Sequence, residues 1–318
     1  VGDPEAAPQV ARTFGRLAAA SASMLTTDED WGGFIRAYSD FASHKEAELR
    51  ELAAFNFPAV VLSLGPKRYA MHLHVLHCRL AADETMEVRL KVAAGLLEVA
   101  KLLGAEKAEH YLKETLIKLV KDSESAVQLR LMEDLDRLLP AVGGAEAEAE
   151  MVAAALVATE EVLGMQWRSQ LAVVEALPRL APYLAADAVS LECVVLPLCF
   201  KYMAAAQVPV TAGAGRVLPG LVRMLPRLGT RLDIIGRVVR EWGRGRSCHL
   251  RTTFCDLAQA FLAAFSRRFF REHLLEATMD LLSDPVVNVR MRACRLLPHL
   301  KRTLRLPEDT NVLERLSK

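Results

Sequence analysis

Seven short stretches of this 318-residue chain align at intervals of 39, 39, 40, 43, 40 and 39 residues, anchored at Arg50, Arg89, Gln128, Arg168, Thr211, Arg251 and Arg290. A period of this length marks a stacked array of paired helices, because one helical pair cannot bury its apolar face alone and its neighbours must cover it. Four anchors lie in near-copies of one pattern: E-L-R-E-L-A-A-F-N-F-P-A-V-V (48–61), E-V-R-L-K-V-A-A-G-L-L-E-V-A (87–100), H-L-R-T-T-F-C-D-L-A-Q-A-F-L (249–262) and N-V-R-M-R-A-C-R-L-L-P-H-L (288–300). The expected fold is all-α, a solenoid in which about seven two-helix units form a right-handed superhelix. Stacking of this kind creates a long surface and no buried catalytic centre. The expectation moves from chemistry to binding.

The grammar of one unit is clearest between residues 66 and 104. Tyr69, Leu73, Leu76 and Leu80 recur at helical spacing, and Pro66 suits the first turn of that helix. Asp83 and Thr85 can cap a second helix, which carries Val88, Val92, Leu96, Val99 and Leu103 on one face and stops at Gly104. Asp83, Asp122 and Asp284 each precede their anchor by six residues. An acid and an arginine recurring one turn apart predict capping together with charge-assisted hydrogen bonds between adjacent units. Pro58, Pro219 and Pro298 each follow their anchor by eight residues, which predicts bent second helices. The A-G-A-G tract (212–215) follows no strand and precedes no G-K-[ST], so it reads as close helix packing and not as a phosphate loop.

The net charge of +1 hides an asymmetry. Residues 1–200 carry 19 basic and 29 acidic side chains, a net of −10, whereas residues 201–318 carry 21 and 10, a net of +11. The expected organisation is a single array over 1–318: regular acidic units over 28–204, irregular Arg-rich units over 205–246 and regular units over 247–318. The chain opens at Val1 in what reads as a helix, so a fragment of a longer protein is expected. Hydrophobic residues make up 52% and aromatics 6%, so the interior must be built of Ala, Leu and Val. Six cysteines show no C-x-x-C pair or secreted framework and read as reduced, mostly buried thiols. The longest apolar run, 188–200, is interrupted by Glu192 and is too short to span a bilayer. With no secretory leader in residues 1–25, a cytoplasmic or nuclear setting is expected and no membrane partner.

Chemistry finds little purchase. His72, His74, His77 and Cys78 form the richest cluster, but no recognised zinc motif accompanies them, so neither a metal nor any cofactor is expected. No nucleophile elbow, H-E-x-x-H, Walker or kinase pattern occurs, and the chain reads as a non-enzyme. The basic tract, with Arg223, Arg227, Arg244 and Arg246, suits an acidic protein segment. Nucleic acid is disfavoured, because Trp242 is the one aromatic between Tyr202 and Phe254 that could stack a base.

The phrase D-E-T-M-E-V-R-L-K-V-A-A-G-L-L-E-V-A (83–100) resembles a HEAT repeat. Together with F-N-F-P-A-V-V-L-S-L-G (55–65), M-H-L-H-V-L-H-C-R-L-A-A (71–82) and S-D-P-V-V-N-V-R-M-R-A-C-R-L-L-P-H-L-K (283–301), it resembles the HEAT-repeat regulatory subunits of protein phosphatase 4, in their regulatory subunit 4-like branch. It is more distantly similar to the scaffold A subunit of protein phosphatase 2A. The resemblance covers about Phe34 to Leu306. It implies a non-catalytic subunit that binds a serine/threonine phosphatase catalytic subunit and directs its activity, gripping it by the turns within each unit. Carried onto this chain, those positions are Asp83, Glu84, Met86, Ser123, Glu124, Asp284 and Pro285. The alternative is a HEAT adaptor, a transport or cytoskeletal scaffold, with no phosphatase connection.

Overall fold

The structure is a computed structural model that describes residues 6–25, 27–142, 145–164, 166–184 and 188–301, with positions 304, 310, 312 and 314 beyond them. Among the described residues every regular element is helical. The chain forms two compact units, Val1–Met165 and Gln166–Lys318.

The first unit contains α1 (Ala7–Ser21), α2 (Asp28–Ala42), α3 (Ala47–Arg68), α4 (His74–Leu80), α5 (Met86–Leu103), α6 (Ala105–Val120), α7 (Ser125–Met132), α8 (Leu135–Val142) and α9 (Ala145–Leu163). Two layers result. Helices α1, α3, α5 and the α7–α8 pair pack side by side in sequence, while α2, α4, α6 and α9 pack behind them. This is the two-helix array that the period predicts. Its boundaries are chemical: Gly65 and Gly104 both stand at φ of 76°, a conformation that costs a glycine no steric penalty. Gly65 therefore ends the first part of α3, and Pro66 opens the next helical run.

The second unit contains α10 (Trp167–Leu184), α11 (Ala188–Ser190), α12 (Leu196–Met203), α13 (Val208–Met224), α14 (Leu228–Val238), α15 (Cys248–Ala264), α16 (Arg267–His273), α17 (Leu275–Asp280), α18 (Val287–Cys294) and α19 (Leu297–Lys301). Here α10, α13, α15 and α18 form the successive layer. Gly213 and Gly215 let α13 approach both neighbours: a Cβ at Gly213 would lie 3.1 Å from Val174 of α10, and one at Gly215 would lie 3.4 Å from Leu257 of α15. The A-G-A-G tract is a packing device, as expected. Wider π-type turns cover Tyr69–Leu73, Leu191–Val195 and Val239–Gly243, a feature with no sequence signal.

The prolines act unequally. Helices α3 and α13 run through Pro58 and Pro219 without a break, whereas α18 stops at Cys294, the residue whose carbonyl the Pro298 ring would strike. Aliphatic side chains fill most of the core, and aromatic rings join it in clusters. Phe14, Phe34, Tyr38, Phe41 and Phe57 form a chain of ring contacts at the start of the first unit.

The phrase N-F-P near the start of the array is structural throughout. Asn56 is buried, donates to the carbonyl of Ala11 and accepts from the amide of Gly15, stitching α3 to α1. Phe57 stacks on His77 at 4.4 Å. Pro58 packs so closely on α5 that a Cβ at Gly95 would come within 2.8 Å of its ring.

Candidate binding edge

The anchor arginines form a ladder. Arg50 pairs with Asp83, Arg89 with Asp122 and Arg251 with Asp284, each pair 33 residues apart, with Nε to Oδ2 distances of 2.7, 2.7 and 2.5 Å and a second bond from Nη2 to Oδ1. Each guanidinium thus grips the carboxylate of the next unit as a fork. Its Nη1 turns back to the chain and donates to the carbonyl six residues earlier, His44, Asp83 and Gly245 respectively. The Asp does two tasks as well: Oδ1 of Asp83, Asp122 and Asp284 accepts from the amide two residues on, shaping the turn that starts the second helix. The hydrogen bond each guanidinium donates to its Asp, acting against partial burial, holds all three guanidinium groups above their ordinary value.

The weaker anchors keep half of this arrangement. Gln128 Nε2 donates to the carbonyl of Asp122 at 2.7 Å, and Thr211 Oγ1 to that of Ala205 at 2.9 Å, again six residues back. They retain the link within a unit and lose the link to the next. Where Gln128 stands, the position six before the following anchor is Val162, so charge is missing on both sides. A second basic position, two residues after the anchor, reaches toward the preceding unit: Lys91 to Glu51, Arg130 to the carbonyl of Ala94 and Arg292 to Asp256.

The ladder decides what the turns can offer a partner. Because Arg89 holds the carbonyls of Asp83 and Glu84 together with the carboxylate of Asp122, turns 83–85 and 122–124 lie side by side on one edge of the first unit. Glu84, Ser123 and Glu124 are exposed there and Met86 is half-buried. The carboxylates of Asp83 and Asp284 are committed to Arg50 and Arg251, and their side chains are only 8% and 4% exposed. In the second unit Pro285 is exposed on turn 284–286, beside Arg251.

The four arginines of the basic tract do not form one patch. Arg223 donates to the carbonyl of Ala264 at the end of α15, and Arg227 is the residue immediately before α14. Arg244 and Arg246 precede the start of α15, whose 17 residues span roughly 25 Å. Two pairs result, at opposite ends of the helices. Trp242, the sole candidate for base stacking, is 3% exposed.

The histidine cluster also separates. His72 is exposed, His74 lies 3.5 Å from the Cys78 sulfur, and His77 is buried with Nδ1 3.0 Å from the Tyr69 hydroxyl. Burial, helped by His74, pushes His77 down to about 3, so it stays a neutral core residue. No group of three or more His, Cys, Asp or Glu among the described residues is placed to hold a metal ion. Of the six free cysteines only Cys199 and Cys255 are buried, with thiols pushed up to about 12 by burial, whereas Cys193 and Cys294 are exposed; the thiols are less buried than expected. No helix among the described residues is long and apolar enough to cross a membrane.

No family model matches the chain. Over 284 residues, 86% of its length, it is 29% identical to the mouse serine/threonine-protein phosphatase 4 regulatory subunit 4 and 28% identical to the human protein of that name. It spans about a third, 32%, of the length of these relatives. The resemblance seen in the quoted phrases therefore extends over most of the chain. Among solved structures, an engineered protein covers the whole chain at 15% identity with a TM-score of 0.35, too low to carry an argument.

Proposed function

We propose that this chain is a regulatory or scaffolding region that binds the catalytic subunit of a serine/threonine phosphatase of the protein phosphatase 4 or 2A type and directs where it acts, without performing chemistry itself. The observation that carries this reading is the similarity over 284 residues to proteins named phosphatase 4 regulatory subunits. The ladder supports it physically. A docking edge must hold its shape before the partner arrives, since ordering it on binding would cost affinity. In the first unit the edge that carries Glu84, Met86, Ser123 and Glu124 is held by forked ion pairs. Asp83, Asp284 and Pro285 belong to the same class of turn, the two acids acting through the ladder they complete.

The test is co-purification of a phosphatase catalytic subunit with the tagged full-length protein, read by mass spectrometry. The wild type is expected to bring it down and Glu84→Lys/Glu124→Lys to bring down at least fivefold less while staying folded, because both side chains are exposed and Glu84 meets Arg50 only at 3.4 Å. Absence of any phosphatase from the wild-type sample overturns the proposal.

A further inference from the structure

The ladder has a gap in the second unit, and the gap is open. Between turn 204–207, the first turn of α13 and the start of α15 lies a groove of about 430 Å³. At Arg50, Arg89 and Arg251 this place is occupied by the anchor guanidinium. Here the anchor is Thr211, which reaches the carbonyls of Ala205 and Gln207 and no further. The acid that should face it is missing for a reason of backbone geometry. The π-type turn Val239–Gly243 closes with the amide of Arg244 on the carbonyl of Val239, and a Cβ at position 245 would collide with the carbonyl of Glu241. Only glycine fits where the regular turns carry Asp, so both halves of the ion pair are absent together.

The groove has the chemistry of a receptor for one kind of chain. Ala205, Val208 and Ala212 give it an apolar floor and lip, with Val208 76% exposed. Hydroxyls of Thr211, Ser247 and Thr252 line it: Thr211 and Thr252 donate to backbone carbonyls and keep accepting lone pairs, whereas Ser247 accepts from the His249 amide and keeps its O–H to donate. The one carboxylate in its wall, Asp256, is paired with Arg292 at 2.6 Å. Positive charge stands next to the groove in the chain. Arg246 directly precedes the lining residue Ser247 and is exposed with no side-chain partner among the described residues, Arg244 meets only Asp280 at 3.8 Å while 63% exposed, and His249 in the wall is exposed.

We propose that this gap is a docking groove for an extended acidic segment of a partner protein, which places a small apolar side chain against Val208 and Ala212 and carboxylates against Arg244 and Arg246. Charge complementarity selects the occupant. A nucleic acid would want exposed rings for its bases, and no aromatic residue lines the groove. The site is independent of the acidic edge in the first unit.

The experiment uses the whole chain at physiological salt and reads fluorescence anisotropy of three labelled probes. These are the peptide E-D-E-D-E-V-L-E-D-E-D-E, its counterpart with Lys at every acidic position, and a twelve-nucleotide oligo-dT. The acidic peptide is expected to bind, Arg244→Glu/Arg246→Glu to weaken it about tenfold or more, and Val208→Asp by about fivefold or more. Val208→Asp should not harm folding, since a carboxylate in the first turn of a helix is favourable. Arg223→Glu/Arg227→Glu, at the far end of α15, should change the affinity less than twofold, and so should Glu84→Lys/Glu124→Lys. Failure of the acidic peptide to bind, tighter binding of oligo-dT, indifference to Val208→Asp, or equal losses from the two arginine pairs would each overturn the proposal. Because the probes contain no phosphatase, these outcomes are separate from those of the co-purification.

Discussion

Arg89 and Asp122 meet across two consecutive units, Nε to Oδ2 at 2.7 Å and Nη2 to Oδ1 at 3.0 Å, with only 12% and 5% of their side chains exposed. The same guanidinium holds the two carbonyls of its own turn, and the same carboxylate shapes the next. One pair therefore sets the spacing of two units and the geometry of both turns.

Breaking that pair leaves a nearly buried charge without its partner, which is costlier than removing both. Arg89→Met is expected to lower the unfolding free energy by about 3 kcal/mol, and Arg89→Met/Asp122→Leu to lose less than that single change. Equilibrium denaturation of the two variants checks this; a double variant weaker than Arg89→Met defeats it.

The ladder also predicts an acid response. The hydrogen bond from Arg251, against some burial and with help from the Val286 amide, holds Asp284 below its ordinary 3.8. For Asp83 burial pushes up, and the bonds from Arg50 and Thr85 outweigh it. A carboxyl that titrates lower when folded stabilises above its unfolded value and loses that contribution as pH falls below about 4. The stability difference between wild type and Asp284→Asn should therefore shrink between pH 5 and pH 3, and a constant gap in denaturant midpoints over that range would contradict it.

His77 gives a response at higher pH. Burial first, and His74 second, hold the folded imidazole at about 3 against an ordinary 6.5. The unfolded side chain takes up a proton below 6.5 while the folded one stays neutral, so stability falls as pH drops from 6.5 toward 3, by at most about 1.4 kcal/mol per pH unit. His77→Asn can still bond the Tyr69 hydroxyl but carries no titrating ring. Its stability should fall less steeply between pH 7 and pH 5 than that of the wild type, and parallel slopes would refute the assignment.

The contact between α3 and α5 is testable by volume. Gly95→Val pushes side-chain atoms into the Pro58 ring, where even a Cβ would sit at 2.8 Å, and should cost about 2 kcal/mol. Pro58→Ala should recover at least half of that loss when combined with it. Additive effects in this double-mutant cycle would show that the two residues do not press on each other.

Much of this architecture is legible in one dimension because it is written in short-range signals. The anchor period, the stripe Val88, Val92, Leu96, the stop at Gly104 and the glycines of α13 each depend on neighbours within a turn or two, or on the absence of a Cβ. The recurring Asp and Arg likewise show that a charged link joins successive units. Gln128 and Thr211 read as lapses, yet both still hold the carbonyl six residues back. That half of the link is a backbone interaction, and many side chains can supply its donor. The arginine cluster is legible as composition and illegible as a surface, since a helix in between puts Arg223 and Arg246 at its two ends.

The sequence by itself determines that this is a repeating helical array, where its turns fall and which protein family its phrases resemble. Tertiary structure alone decides that Asp83, Asp122 and Asp284 face the arginine 33 residues before them and are thereby withdrawn from partners, while Glu84, which only touches Arg50 at 3.4 Å, and Glu124 stay exposed beside them. It alone decides that His77 turns inward and that Gly245 must lack a side chain. Periodicity encodes what a segment does with its own backbone, but exposure and pairing depend on which groups the packing of neighbouring helices brings to the same edge.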